Sequence, residues 1–234
     1  MTKNPIICAI DTTDVAKAKA LASELSGSVG AIKLGLEFFT ANGPAAVRDV
    51  AAGAPLFLDL KFHDIPNTVA GAVSAATSLG AFMMTVHASG GKAMLMAAKE
   101  AAEEATQGTG KKRPMIVAVT ILTSLDMMDL SAIGYQNSVK DQVRKLADLA
   151  MDAGLDGVVC SPHEISLLRA HCGKDFTLVV PGIRPAGSAH GDQKRVMTPR
   201  EAISQGADYL VIGRPITGAA DPAAAAKAIY DTLA

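Results

Sequence analysis

Eight short apolar runs punctuate the 234 residues: PIICAID, GAIKLG, PLFLDLK, FMMTVH, PMIVAVTIL, DGVVCS, TLVVPGI and DYLVIGRP. Most are nearly continuous in apolar residues, the pattern of parallel strands covered on both faces. Alanine-rich segments long enough for helices separate them. Three helix starts are marked in the sequence. Ser161-Pro162-His163-Glu164 and Thr198-Pro199-Arg200-Glu201 fit capping boxes with proline in the first helical position, and Asp221-Pro222 opens the last helix. Eight strands alternating with eight helices predict an α/β fold, a closed (β/α)₈ TIM barrel forming a single domain over residues 1–234. The rival is an open doubly wound sheet. The last strand, VIGRP, leads straight into a closing helix, which favours the barrel.

Bulk properties narrow the function classes. The net charge of −1 gives no electrostatic reason to expect nucleic acid or an anionic membrane as partner. No apolar run reaches the roughly 18 residues of a membrane span, and MTKNPIICAID lacks signal-peptide architecture. Cys8, Cys160 and Cys172 are odd in number and lack metal-type spacing, which points to a reducing cytoplasm. There is no GxGxxG fingerprint and no GxxxxGK[ST] loop, so no nucleotide cofactor is indicated. The basic turn TQGTGKKR, residues 106–113, is expected to be a solvated loop.

Polar residues gather where the predicted strands end. Asp11 closes the first strand, Lys33 the second, Asp59 and Lys61 the third, and His87 the fourth. Thr123 and Ser124 follow the fifth strand, Arg184 the seventh, and Gly213-Arg214 the eighth. The opening residues of the strands show much less of this, so charge is expected on the face where barrels keep their chemistry. Side chains two apart on a strand share a face, so Asp59 and Lys61 point together while Leu60 and Phe62 turn to packing. With Asp11 and Lys33 they form an alternating array of carboxylates and ammoniums. A buried ion-pair network is the structural alternative, though such pairs add little net stability. Asp64 is either a helix N-cap or a functional group. Arg184, Arg214, Gln193 and the Gly213 N–H together fit a phosphate at the end of the barrel that often holds one. The stretch GIRPAGSAHGDQKRVM, residues 182–197, is expected to be a lid. His63, His163, His171 and His190 lack metal-type spacing and are read as surface or capping residues; His87 either lines the site or meets a local hydrogen bond.

DLKFHDIPNT, residues 59–68, resembles the signature of the orotidine 5′-phosphate decarboxylase family, Asp-x-Lys-x-x-Asp-Ile-x-x-Thr, at Asp59, Lys61, Asp64, Ile65 and Thr68. The resemblance extends along the chain through AID, KLG, TVHASGG, TILTS, PGIRP (Pro181 to Pro185) and IGRPI. It implies a homodimeric barrel that converts orotidine 5′-monophosphate to UMP and carbon dioxide without metal or organic cofactor. It further implies that Lys61 donates the proton and that Asp59 sits by the scissile carboxylate. Asp64, Ile65 and Thr68 belong to its shared-site motif, with Asp64 and Thr68 reaching into the neighbouring subunit's site. Asp11 and Lys33 would bind ribose hydroxyls and Thr123 and Ser124 would lie at the pyrimidine. Arg184, Gln193, Gly213 and Arg214 would hold the phosphate, and Pro181, which opens the PGIRP stretch, would belong to the substrate-binding set.

That chemistry explains the residue types. Loss of carbon dioxide leaves an electron pair in the plane of the pyrimidine ring, where the π system cannot absorb it. An ammonium at that carbon both stabilises the charge and supplies the proton. Carboxylates flanking Lys61 favour the ammonium form and disfavour a Schiff-base role. Two other readings share parts of the pattern. One is a metal-dependent decarboxylase of a keto-sugar phosphate with the same Asp-x-Lys-x-x-Asp core. The other is a non-catalytic phosphosugar-binding barrel.

Overall fold

The computed structural model describes residues 4–185 and 197–233. Its eight strands form a closed parallel barrel in sequence order: β1 (Ile6–Ala9), β2 (Ala31–Gly35), β3 (Leu56–Phe62), β4 (Met83–His87), β5 (Met115–Val119), β6 (Gly157–Val159), β7 (Thr177–Val180) and β8 (Tyr209–Ile212). Each strand corresponds to one of the eight apolar runs. β1 pairs with both β2 and β8, which closes the ring and excludes the open sheet.

The outer layer holds α1 (Val15–Glu24), α2 (Leu36–Val50), α3 (Pro66–Thr77), α4 (Lys92–Glu104), α5 (Met127–Ala132), α6 (Val139–Asp152), α7 (Ile165–Cys172), α8 (Pro199–Ser204), α9 (Arg214–Thr217) and α10 (Pro222–Asp231). Two of these, α5 and α9, exceed the eight expected helices. Both are short insertions after a strand, at the end of the barrel where the loops are longest. The predicted helix starts are in place. Ser161 and Thr198 make reciprocal capping boxes with Glu164 and Glu201, and the Asp221 carboxylate accepts from the Ala224 N–H. The Ser161 box opens a 3₁₀ turn that runs into α7. In α2, Gly43 at φ +71 before Pro44 interrupts the helical backbone, because proline removes a donor and disfavours helical geometry at the preceding residue.

Strand periodicity sorts the core into two shells. Ile6, Cys8, Leu56, Leu58, Met84, Val86, Ile116 and Ala118 face outward and pack beneath the helices. Ile7, Ala9, Ala31, Phe57, Met83, Val117, Val179 and Val211 face inward and plug the barrel. The residues two further along the inward rows leave this apolar floor, and there the polar groups begin.

The strand openings differ from the sequence expectation. Arg113, in the stretch read as a solvated loop, makes a two-pronged contact with Asp156, both bonds 2.7 Å, and Asp156 also accepts from the Ile116 N–H. Arg169 pairs with Asp208, which accepts from the Leu178 N–H. Charges therefore occur at this end too, but they are consumed in clasping adjacent strands. The first lies before β5, and its partner lies 43 residues on. Such a pairing leaves no local sequence pattern.

Candidate active site

The inward rows deliver a ring of side chains to the mouth of the barrel. Two residues beyond the floor positions Ala9, Ala31, Phe57, Val179 and Val211 stand Asp11, Lys33, Asp59, Pro181 and Gly213. All five, with Lys61, Thr123, Arg184 and Arg214, line one cavity of about 270 Å³. Sites for small molecules are commonly about 300–1,000 Å³.

Within it the charges alternate in a connected chain. Lys33 Nζ lies 3.5 Å from Asp11 Oδ1 and 3.5 Å from Asp59 Oδ2. Lys61 Nζ lies 2.9 Å from Asp59 Oδ1. The middle of the chain is the most enclosed: the Lys33 and Asp59 side chains each keep 12% of their surface exposed, against 62% for Asp11. Burial alone would push the Asp59 carboxyl up. Lys33, Lys61 and hydrogen bonds from Lys61 and Thr85 outweigh burial and hold it below the ordinary carboxylate value. Asp59 is therefore an anion clamped between two cations.

Lys61 reaches this position through an irregularity. It is the one non-glycine residue at positive φ (+50) among the described residues. A side chain there costs about 1–3 kcal/mol, and such strain concentrates at functional positions. The register between β3 and β4 shifts at the same place: Leu58 aligns with Met84, but Phe62 aligns with Val86. β3 thus uses four residues where β4 uses two. Regular alternation alone accounts for Asp59; the bulge aims Lys61.

Arg184 and the Gly213-Arg214 pair stand on the β7 and β8 side of the cavity. Arg184 is buried, donates from Nη1 to the Ile183 carbonyl, and its backbone N–H donates to Met197. The bridge between Ile183 and Met197 ties together both ends of the stretch expected to be a lid. Its interior, with Gln193 and His190, lies outside the described residues. A Cβ on Gly213 would sit 3.5 Å from the Ala9 Cβ and 3.7 Å from Asp11 Oδ2. These are ordinary contact distances, and they put Gly213 beside Asp11 in the cavity wall.

Some predicted site residues are not brought together in this chain. Asp64, Ile65 and Thr68 are exposed and do not line the cavity, and neither does Ser124. The N-cap reading of Asp64 is corrected. The residue capping α3 is Ile65, with no side-chain cap, and the Asp64 carboxylate accepts only from the adjoining Ile65 N–H among the bonds described for it. Ile65 leaves 67% of its surface open beside it.

Residues 4–229 match the sequence profile of the orotidine 5′-phosphate decarboxylase / HUMPS family. The chain belongs to that family. The orotidine 5′-phosphate decarboxylase of Paramagnetospirillum magneticum is 58% identical over 98% of both chains. That of Rhodospirillum rubrum is 59% identical over 98% of this chain and 94% of its own. The crystal structure of orotidine 5′-phosphate decarboxylase from Lactobacillus acidophilus superposes with a TM-score of 0.87 at 37% identity, covering 98% of this chain and 99% of that one.

The family signature does not include one residue that the geometry draws in. Thr85 on β4 is fully buried, two residues beyond the floor position Met83. Its hydroxyl accepts from the Lys61 N–H at 2.8 Å and donates to Asp59 Oδ1 at 3.0 Å. The same two-residue step that places Asp59 above Phe57 would have found it. His87 does not line the cavity: its Nδ1 lies 2.7 Å from Ser89 Oγ, and its ring stacks on His63 with centroids 5.2 Å apart. Burial, then His63 and Lys61, push its imidazole below the ordinary value. Among the described residues no three His, Cys, Asp or Glu side chains are grouped to hold a metal ion.

Proposed function

We propose that this chain decarboxylates orotidine 5′-monophosphate to UMP and carbon dioxide, the last step of de novo pyrimidine nucleotide synthesis. In this reading the enzyme is a single barrel domain working in the cytoplasm as a homodimer, without metal or organic cofactor. The observation that carries the reading is the chain Asp11–Lys33–Asp59–Lys61 in a cavity that Arg184, Gly213 and Arg214 also line. Full-length relatives bearing that activity's name support it.

The roles are those the resemblance implies, and the charge and placement of the cavity-lining residues support them. The phosphate takes the arginine side, with the Gly213 N–H and Gln193, and Pro181 belongs to the wider substrate-binding set. Asp11 and Lys33 offer an acceptor and a donor to the ribose hydroxyls. Thr123, which lines the cavity, meets the pyrimidine; Ser124, outside the cavity, has that part only from the resemblance. In this reading the substrate carboxylate lies beside Asp59 and the carbon that carries it beside Lys61. As the carbon–carboxylate bond breaks, its electron pair stays on the ring carbon. The Lys61 ammonium stabilises the pair and gives up a proton to it, forming UMP. Charge pairing at about 4 Å is worth about 4 kcal/mol at an effective dielectric of about 20. Enzymes commonly lower barriers by roughly 8–23 kcal/mol. Preorganisation of the whole array, held by phosphate and ribose binding, supplies the remainder.

The exposure of Asp64, Ile65 and Thr68, all outside their own chain's cavity, supports their serving the partner's site. An ultraviolet assay on orotidine 5′-monophosphate, run with and without chelator, tests the reading. Turnover indifferent to chelator is expected. Turnover lost to chelator supports the metal-dependent alternative, and binding without turnover supports a phosphosugar sensor.

A further inference from the structure

We infer that Thr85 is a positioning residue for the reaction, holding both members of the Asp59–Lys61 pair through one hydroxyl. The inference rests on the function proposed above and adds a residue to it. Its basis is a closed circuit of contacts. The Lys61 N–H donates to Thr85 Oγ1, the Thr85 hydroxyl donates to Asp59 Oδ1, and that same oxygen receives the Lys61 ammonium at 2.9 Å. The circuit thus starts and ends on Lys61, once through its backbone and once through its side chain.

Each link has a physical purpose. At φ +50, and where β3 and β4 lose register, the Lys61 N–H has no place in the regular ladder. A part-buried backbone donor left out of the ladder gains from a partner, and the Thr85 hydroxyl takes the place of the strand carbonyl. Since a hydroxyl has one proton, accepting from Lys61 orients it to donate to Asp59. A bond to a charged acceptor is the stronger kind, so the bulge and the carboxylate fix one another. β-branching and full burial hold the hydroxyl itself in a narrow range. Thr85 does not line the cavity; it acts through its two neighbours.

Thr85→Val keeps the shape and removes the hydroxyl, while Thr85→Ser keeps the hydroxyl and loses a methyl. The expected result for Thr85→Val is a kcat roughly 10–100-fold lower, the scale of a misplacement of about 1 Å. Its KM should stay within about threefold, because phosphate and ribose are held elsewhere. Thr85→Ser should recover kcat to within about fivefold of the parent. A crystal structure of Thr85→Val should show Lys61 out of its positive-φ geometry or the ion pair opened. Unchanged kcat and an unmoved Lys61 in Thr85→Val overturn the inference, as does a Thr85→Ser enzyme no better than Thr85→Val. If the parent protein turns over no orotidine 5′-monophosphate, the proposed function falls. The crystallographic comparison then decides the role of Thr85 alone.

Discussion

Replacing Lys61 with alanine separates the chemistry from the binding. The ammonium lies 2.9 Å from Asp59 Oδ1, and a pair at that separation is worth about 6 kcal/mol at an effective dielectric of about 20. The carbanion that forms during decarboxylation takes a similar place beside the same nitrogen. At about 4 Å its loss removes about 4 kcal/mol of stabilisation, or about a thousandfold in rate. Loss of the proton donor contributes a further factor on the order of 10²–10⁴. These two effects overlap, so a thousandfold fall in kcat is the lower bound. Binding of the product UMP is the internal reference, because UMP has no carboxylate to meet the less compensated Asp59 and its phosphate contacts are untouched. Its Kd should rise by less than about tenfold. Initial rates by ultraviolet absorbance and UMP affinity by calorimetry, on protein shown to be folded by circular dichroism, give both numbers. A kcat within tenfold of the parent removes Lys61 from the mechanism. Equal losses in kcat and UMP affinity mean that it contributes uniform binding instead.

Mixing inactive Lys61→Ala and Asp64→Asn chains should restore activity, because a mixed dimer holds one site with both residues intact; no recovery despite demonstrated subunit exchange refutes the shared site. Because the folded Asp59 carboxyl titrates below its unfolded value of about 3.9, its stabilising contribution is complete above that pH and disappears as the pH falls through the folded value. Urea midpoints should accordingly show the parent's advantage over Asp59→Asn shrinking below about pH 4; an advantage constant with pH contradicts the clamp. Asp156→Ala breaks the two-pronged bond to Arg113 and the bond from the Ile116 N–H, costing about 2 kcal/mol. That should lower Tm by about 4–8 °C while kcat at 25 °C stays unchanged, as read by calorimetry and the same rate assay.

Most of the fold was legible because its signals are local. Parallel strands buried on both faces must be apolar throughout, so each of the eight runs announced itself, and capping boxes need only four consecutive residues. The polar ring was half legible. The step of two residues that separates Phe57 from Asp59 is visible in a single strand, and so is the one separating Met83 from Thr85. Thr85 escaped notice because a lone threonine in an apolar run resembles ordinary strand composition. The strand clasps Arg113–Asp156 and Arg169–Asp208 escaped for another reason: their partners lie about 40 residues apart, and no pattern in the chain connects them.

The amino-acid order by itself determined that eight strands would alternate with helices, that carboxylates and ammoniums would stand at strand ends, and which family the motif belongs to. Closure of the barrel decided the rest. Pairing of β1 with β2 and of β2 with β3 brings Asp11, Lys33 and Asp59 into one line with gaps of 3.5 Å, and only when β1 meets β8 do Arg184 and Arg214, from the far end of the chain, come to line the same cavity. Only the slipped register of β3 against β4 turns Lys61 onto Asp59 and brings in the Thr85 hydroxyl. Charge–charge energy varies with distances of a few ångströms, and distances between strands are set by packing around the whole ring rather than by any stretch of neighbouring residues.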